Sequence, residues 1–231
     1  MAKKLADDLQ QNLEQAKRRH RFFYMAVSGG TTPLTFYRLL AQAPYKTKLA
    51  WQYLHLFWGD ERCVAPDHAQ SNFGLMHDNL LTHIRIPEKN IHRIHGETDP
   101  LTEVDRYEAE IKTILPLNSK NVPQFDWILL GLGSDGHTAS LFPASPLLDE
   151  KKALCAVAIQ PASGQKRITF TLSLLNQARR ITFLVTGESK AAMVVRLLRP
   201  KENDRSLPAA QVHPEQGIIE WYLDSQAAAT Y

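Results

Sequence analysis

Cysteine is scarce in this chain. Cys63 and Cys155 are the only two among 231 residues, they lie far apart, and they match no C-x-x-C spacing. Neither a disulfide framework nor a thiolate zinc site is therefore suggested. An excess of one charge is also missing: 27 Lys and Arg against 24 Asp and Glu leave a formal net charge of +3. The basic residues are scattered rather than gathered in a stripe, so no nucleic-acid partner is expected. Lys17, Arg18, Arg19 and Arg21 read as the solvated end of a helix. No apolar run approaches the roughly 20 residues needed to cross a bilayer, so no membrane partner is expected either. The histidines show no H-E-x-x-H or related spacing, and no metal is expected. The N-terminal stretch places Leu5, Leu9, Leu13 and Ala16 at helical spacing, unlike a signal peptide, and a cytoplasmic location is expected. No 20- to 50-residue repeat and no linker divides the chain, so residues 1–231 are read as one domain.

What is present is an alternation of apolar runs and helical stretches, the pattern of a mostly parallel sheet with helices on both faces. Strands are predicted at Phe22 to Val27, Tyr53 to Trp58, Phe125 to Leu130, Leu154 to Ile159, Ile181 to Val185 and Ile218 to Leu223. Helices are predicted at Lys3 to Arg19, Pro33 to Ala41, Asn72 to Thr82, Pro100 to Leu115 and Ser189 to Leu198. Thr32 with Pro33, and Asp99 with Pro100, each read as an N-cap followed by proline at the first helical position. The stretch Pro200 to Pro208 reads as a surface loop. In such sheets ligands bind outside the carboxyl ends of the strands, so chemistry is sought in the loops there.

Four of those loops carry unusual residues. "VSGGTTP" runs from a strand into a helix, so Ser28, Gly29, Gly30 and Thr31 can present unpaired backbone N–H groups to an anion. It is not a P-loop, because no Gly-Lys-Ser/Thr follows. "FWGDERCVAPDHAQSN" puts Asp60, Glu61 and Arg62 at an aromatic strand end; the plain alternative is a surface turn with an internal Arg-carboxylate pair, and Ser71 reads as an N-cap. "LLGLGSDGHTASLFP" holds Gly131, Gly133 and Gly136 at G-x-G-x-x-G spacing. However, Pro143 limits any following helix to about two turns, and Asp149 precedes the next strand instead of ending it. A dinucleotide site is therefore not supported. The glycines instead suit tight curvature that displays Asp135 and His137, a carboxylate positioned to tune an imidazole general base. Arg167 in "QKRITFTLSLLN" and Lys190 in "VTGESKAA" are further cations near strand ends. Lys190 falls in a first helical turn, where a cation is unfavourable unless it faces solvent or an anion.

Taken in order, "SGGTTP", "WGDERCVAPDHAQSN", "LGLGSDGHTASLFP", "KRITFTLSLLN", "FLVTGESKAA" and the tail "GIIEWYLDSQAAA" resemble the 6-phosphogluconolactonase family over nearly the whole chain. The resemblance implies a modified Rossmann-like, sugar-phosphate isomerase-like fold. It also implies hydrolysis of 6-phospho-D-glucono-1,5-lactone, the second step of the oxidative pentose phosphate pathway, with no cofactor and no obligate protein partner. Residue by residue, it implies His137 as general base with Asp135 beside it. Ser28 to Thr31, Arg167 and Lys190 would hold the phosphate, and Asp60 and Arg62 are further candidates for substrate contact. Thr31 stands where serine is frequent, and Ala144 where glycine is. Glucosamine-6-phosphate deaminases share several of these motifs but carry D-E-Y where Arg62 stands. They place a catalytic glutamate where this chain has Leu141 and Phe142. A non-enzymatic sugar-phosphate sensor would need the anion loop but neither Asp135 nor His137.

Overall fold

The computed structural model describes all 231 residues. Nine strands form: β1 (Phe23–Val27), β2 (Leu54–Trp58), β3 (Asp60–Arg62), β4 (Ile91–His92), β5 (Trp127–Leu130), β6 (Cys155–Ile159), β7 (Lys166–Phe170), β8 (Arg180–Val185) and β9 (Ile218–Leu223). Seven α-helices accompany them: α1 (Ala2–Arg18), α2 (Leu34–Leu40), α3 (Tyr45–Lys48), α4 (Asn72–Asn79), α5 (Pro100–Ile114), α6 (Leu172–Leu175) and α7 (Ala191–Leu198). Six strands make a wholly parallel sheet in the order β4-β2-β1-β5-β8-β9. The other three make a small antiparallel sheet, β3-β7-β6.

Apolar pattern decides which face each element covers. In α1, Leu5, Ala6, Leu9, Leu13 and Ala16 recur at helical spacing and are buried. They face a layer in which Met25 and Val27 of β1, Leu54 and Leu56 of β2, Phe36, Tyr37 and Leu40 of α2 and Met76 of α4 close on one another. Side chains alternate along a strand, so Phe57 of β2 points the other way. There it meets Tyr107 of α5 and Phe125, which packs in turn on Phe170 of β7. Helices thus cover both faces, and the small sheet shares the second face with α5.

Three expectations need correction. Leu154 to Ile159 is extended, but as β6 it pairs antiparallel with β7 outside the main sheet. Thr32 does not cap α2: that helix starts at Leu34 without a side-chain cap, and Thr32 Oγ1 instead pairs with Thr186 Oγ1 at 2.9 Å. The segment from Pro200 to Pro208 is not simply a surface loop: it contains the 3-10 turn Glu202–Ser206, and Leu207 is buried. Asp99 and Ser71 do cap α5 and α4, accepting from the Thr102 and Gly74 amides.

The parallel order branches between β1 and β5, where successive connections leave in opposite directions. That is the switch point at which α/β sheets open a crevice. The loops leaving β1, β2, β5 and β8 all emerge there.

Candidate active site

A cleft of about 260 Å³ opens at this switch point. It is lined by Ser28, Gly29, Gly30 and Thr31 after β1, Asp60 and Arg62 of β3, His137 after β5, Arg167 of β7 and Lys190 before α7. Nine of the ten expected residues therefore meet in one place. Asp135, the tenth, stands behind His137 and reaches the cleft through it.

The loop after β1 is anchored from below, where the buried Tyr37 hydroxyl donates to the Ser28 carbonyl at 2.7 Å. The N–H groups of Gly29, Gly30 and Thr31 serve no backbone hydrogen bond within the protein. Gly30 has φ +91°, which suits glycine. A Cβ on Gly29 would sit 1.7 Å from Asn72 Oδ1, so the loop needs a bare backbone there. The helix that follows is only seven residues long, so these amides rather than a macrodipole supply the positive character.

The charged triplet is a strand, not a surface turn. Glu61 is buried and accepts from the backbone N–H groups of Arg62, Asn72 and Phe73. It fastens the start of α4, and burial raises its pKa against those three donors. Arg62 makes no ion pair with it; its Nη1 donates to the Gln70 carbonyl. Asp60 is buried, accepting from Ser140 Oγ at 2.7 Å and from Asn72 Nδ2 at 3.4 Å.

In the register of β3 with β7, Arg62 lies directly opposite Arg167. Like charges facing each other across strands repel. Burial, and then the Arg62 charge, lower the Arg167 pKa, with Asp60 and Glu61 opposing. The Nε atoms of both arginines are buried without a hydrogen-bond partner. Two opposed guanidiniums with unspent donors, in a cleft that Lys190 also lines, form a locally cationic surface whose geometry suits an anion with several oxygens. Asn72, read from sequence only as a helix start, also lines the cleft. Its position directly after the capping Ser71 was the only signal for it.

The loop after β5 forms no helix. Gly133 N–H donates to the His137 carbonyl at 2.8 Å, and Gly136 turns the chain at φ +87°. This closure brings the Asp135 carboxylate to 2.6 Å from His137 Nδ1, and the same oxygen accepts from the His137 backbone N–H at 3.1 Å. An ionised carboxylate only accepts, so Nδ1 carries a proton, and it is Nε2 that offers the lone pair in the neutral imidazole. Partial burial pushes the Asp135 pKa up, but the His137 backbone N–H and imidazole outweigh it and hold the carboxyl below its usual range. Phe142, buried, packs on the imidazole with ring centroids 5.0 Å apart and lies 5.6 Å beneath the Arg167 guanidinium. The imidazole and the Arg167 guanidinium therefore share one apolar floor.

No group of three or more His, Cys, Asp or Glu side chains is placed to hold a metal ion, and no helix is long and apolar enough to cross a membrane.

The model for glucosamine-6-phosphate isomerases/6-phosphogluconolactonase matches residues 1–221. A 6-phosphogluconolactonase of Aggregatibacter actinomycetemcomitans is 44% identical over 205 residues, covering 89% of this chain and 86% of the relative. Among solved structures, the devB protein superposes with a TM-score of 0.93 at 43% identity, covering 99% of this chain and 93% of that one. A monomeric glucosamine-6-phosphate deaminase reaches a TM-score of 0.79 at 22% identity, covering 100% of this chain and 93% of that one. The fold is thus common to both activities, and the site must tell them apart.

Proposed function

The chain belongs to the glucosamine-6-phosphate isomerase/6-phosphogluconolactonase family, and within it we propose that it hydrolyses 6-phospho-D-glucono-1,5-lactone to 6-phospho-D-gluconate. The observation that carries this reading is the Asp135-oriented imidazole in the same cleft as Arg62, Arg167 and Lys190. A δ-lactone is an activated ester, so a positioned water, a base and oxyanion stabilisation suffice. His137 Nε2 takes a proton from water as the oxygen adds to the C1 carbonyl. The tetrahedral oxyanion is met by backbone N–H groups that the glycine-rich loop after β5 leaves unused, such as those of Gly131 and Leu132. When the C1–O5 bond breaks, the imidazolium returns its proton to O5, which leaves as the C5 hydroxyl. Asp135 stays ionised and stabilises the imidazolium. The phosphate, gripped by the Ser28–Thr31 loop, Arg62, Arg167 and Lys190, orients the lactone so that remote binding energy positions the reacting carbon.

Amino-sugar ring opening is disfavoured by the position where deaminases carry a glutamate. Here Leu141 and Phe142 are fully packed apolar side chains. The purified protein is expected to accelerate hydrolysis of freshly generated 6-phosphogluconolactone, assayed cold and slightly acidic to suppress the spontaneous reaction. Release of ammonia from glucosamine 6-phosphate, or tight 6-phosphogluconate binding with no lactone turnover, would overturn the assignment.

A further inference from the structure

Arg167 lies in reach of the field of Asp60 yet forms no ion pair with it. What stands between them is Ser140, three residues beyond His137 and fully buried. Its Oγ donates to Asp60 Oδ2 at 2.7 Å and accepts from Arg167 Nη1 at 3.5 Å. Its backbone N–H donates to Thr169 Oγ1 at 3.1 Å, and Thr169 faces Asp60 across β3 and β7. The hydroxyl is therefore held from both sides. It has one proton, which the carboxylate takes, so only its lone pairs are left for the guanidinium.

We infer that Ser140 is a positioning residue for substrate phosphate: its hydroxyl occupies the near oxygen of Asp60, so that Arg167 stays available to an incoming dianion. The inference rests on the reading of Arg167 as a phosphate ligand. Without the hydroxyl, Asp60 Oδ2 becomes a buried, unpaired acceptor beside a guanidinium that lacks a full complement of acceptors. The carboxylate then turns onto Arg167, and the two charges neutralise each other. Nothing in the sequence pairs Ser140 with Asp60, which lies 80 residues earlier.

The test uses inorganic phosphate as the probe, read as competitive inhibition of lactone hydrolysis by the full-length protein. Ser140→Ala is expected to weaken phosphate inhibition about tenfold, the scale of one charge-assisted hydrogen bond, and to raise KM for the lactone in parallel, with a much smaller change in kcat. The decisive variant is Asp60→Asn/Ser140→Ala, in which no carboxylate competes for Arg167. Its phosphate inhibition constant is expected to return to within about threefold of that of Asp60→Asn alone. Thermal melting of each variant accompanies the kinetics, because a merely structural loss would lower Tm and would not be rescued by a second substitution. Unchanged phosphate inhibition in Ser140→Ala, or a weakening that Asp60→Asn fails to rescue, overturns the inference. If phosphate does not compete with lactone even in the wild-type protein, the phosphate reading of Arg167 fails first, and separately.

Discussion

Replacing Gly133 by alanine perturbs the catalytic pair without replacing either member. A Cβ at this position would lie 2.1 Å from His137 Nδ1, 2.4 Å from its Cε1 and 2.5 Å from Asp135 Oδ1. The imidazole must retreat by roughly 1.3 Å to reach ordinary contact, which also breaks the 2.6 Å bond to Asp135. Misplacing a reacting group by about 1 Å costs on the order of 100-fold in rate, so kcat for lactone hydrolysis is expected to fall about that much. KM should change little, because the phosphate ligands lie on other loops. The fold should survive. The φ of Gly133 is not positive, and the side chains of His137 and Asp135 are 30% and 50% exposed, so they can swing outward. Overpacking costs about 1–3 kcal/mol in a closed core. Here the lower end applies, a fall in Tm of roughly 2–4 °C for a chain of this length. Steady-state lactone hydrolysis and thermal melting on the same preparation check both halves. A kcat within threefold of wild type would refute the placement of His137, and a fall in Tm beyond about 10 °C would show that Gly133 serves the fold instead.

Other consequences lie away from the catalytic pair. His55 is buried on β2, with Nδ1 2.9 Å from His92 Nε2, and burial pushes its pKa down to about 4, with His92 and Lys89 adding to the effect. An unfolded chain takes up that proton near pH 6.5, so the stability this neutral histidine contributes is full above that pH and is lost as pH falls toward 4. Denaturant unfolding should show a loss of about 1–2 kcal/mol between pH 8 and pH 5 that His55→Gln removes; an identical slope in the variant would contradict it. Ala144 has φ +59°, a left-handed conformation that costs a non-glycine residue about 1 kcal/mol. Ala144→Gly regains that and loses part of it to unfolded-state entropy, for a net gain of about 0.5 kcal/mol. A fall in Tm would count against it.

The parallel core was legible because its strands are short, continuous apolar runs. β1, β2, β5, β8 and β9 fall within a residue or two of their predicted bounds. β3 was not read as a strand, because Asp60, Glu61 and Arg62 carry no apolar pattern. They are extended because β7 pairs with their backbone and because distant backbone N–H groups and Ser140 take up the two carboxylates. β7 begins with Lys166 and Arg167, and β6 reads like a parallel strand until its antiparallel partner is known. The site followed the same division. Loops with glycine, histidine and unpaired cations announced themselves, whereas Ser140 and Asn72 look like an ordinary loop residue and an ordinary helix start. Their roles depend on partners up to 80 residues away.

The central claim is that His137 is the base. The most direct measurement is lactone hydrolysis by His137→Ala against the uncatalysed background. General-base catalysis is worth on the order of 100- to 10,000-fold, so kcat should fall by at least about 100-fold, with KM and competitive phosphate inhibition within about threefold of wild type because the anion loop and arginines are untouched. A variant that keeps more than about a tenth of wild-type kcat would contradict the account.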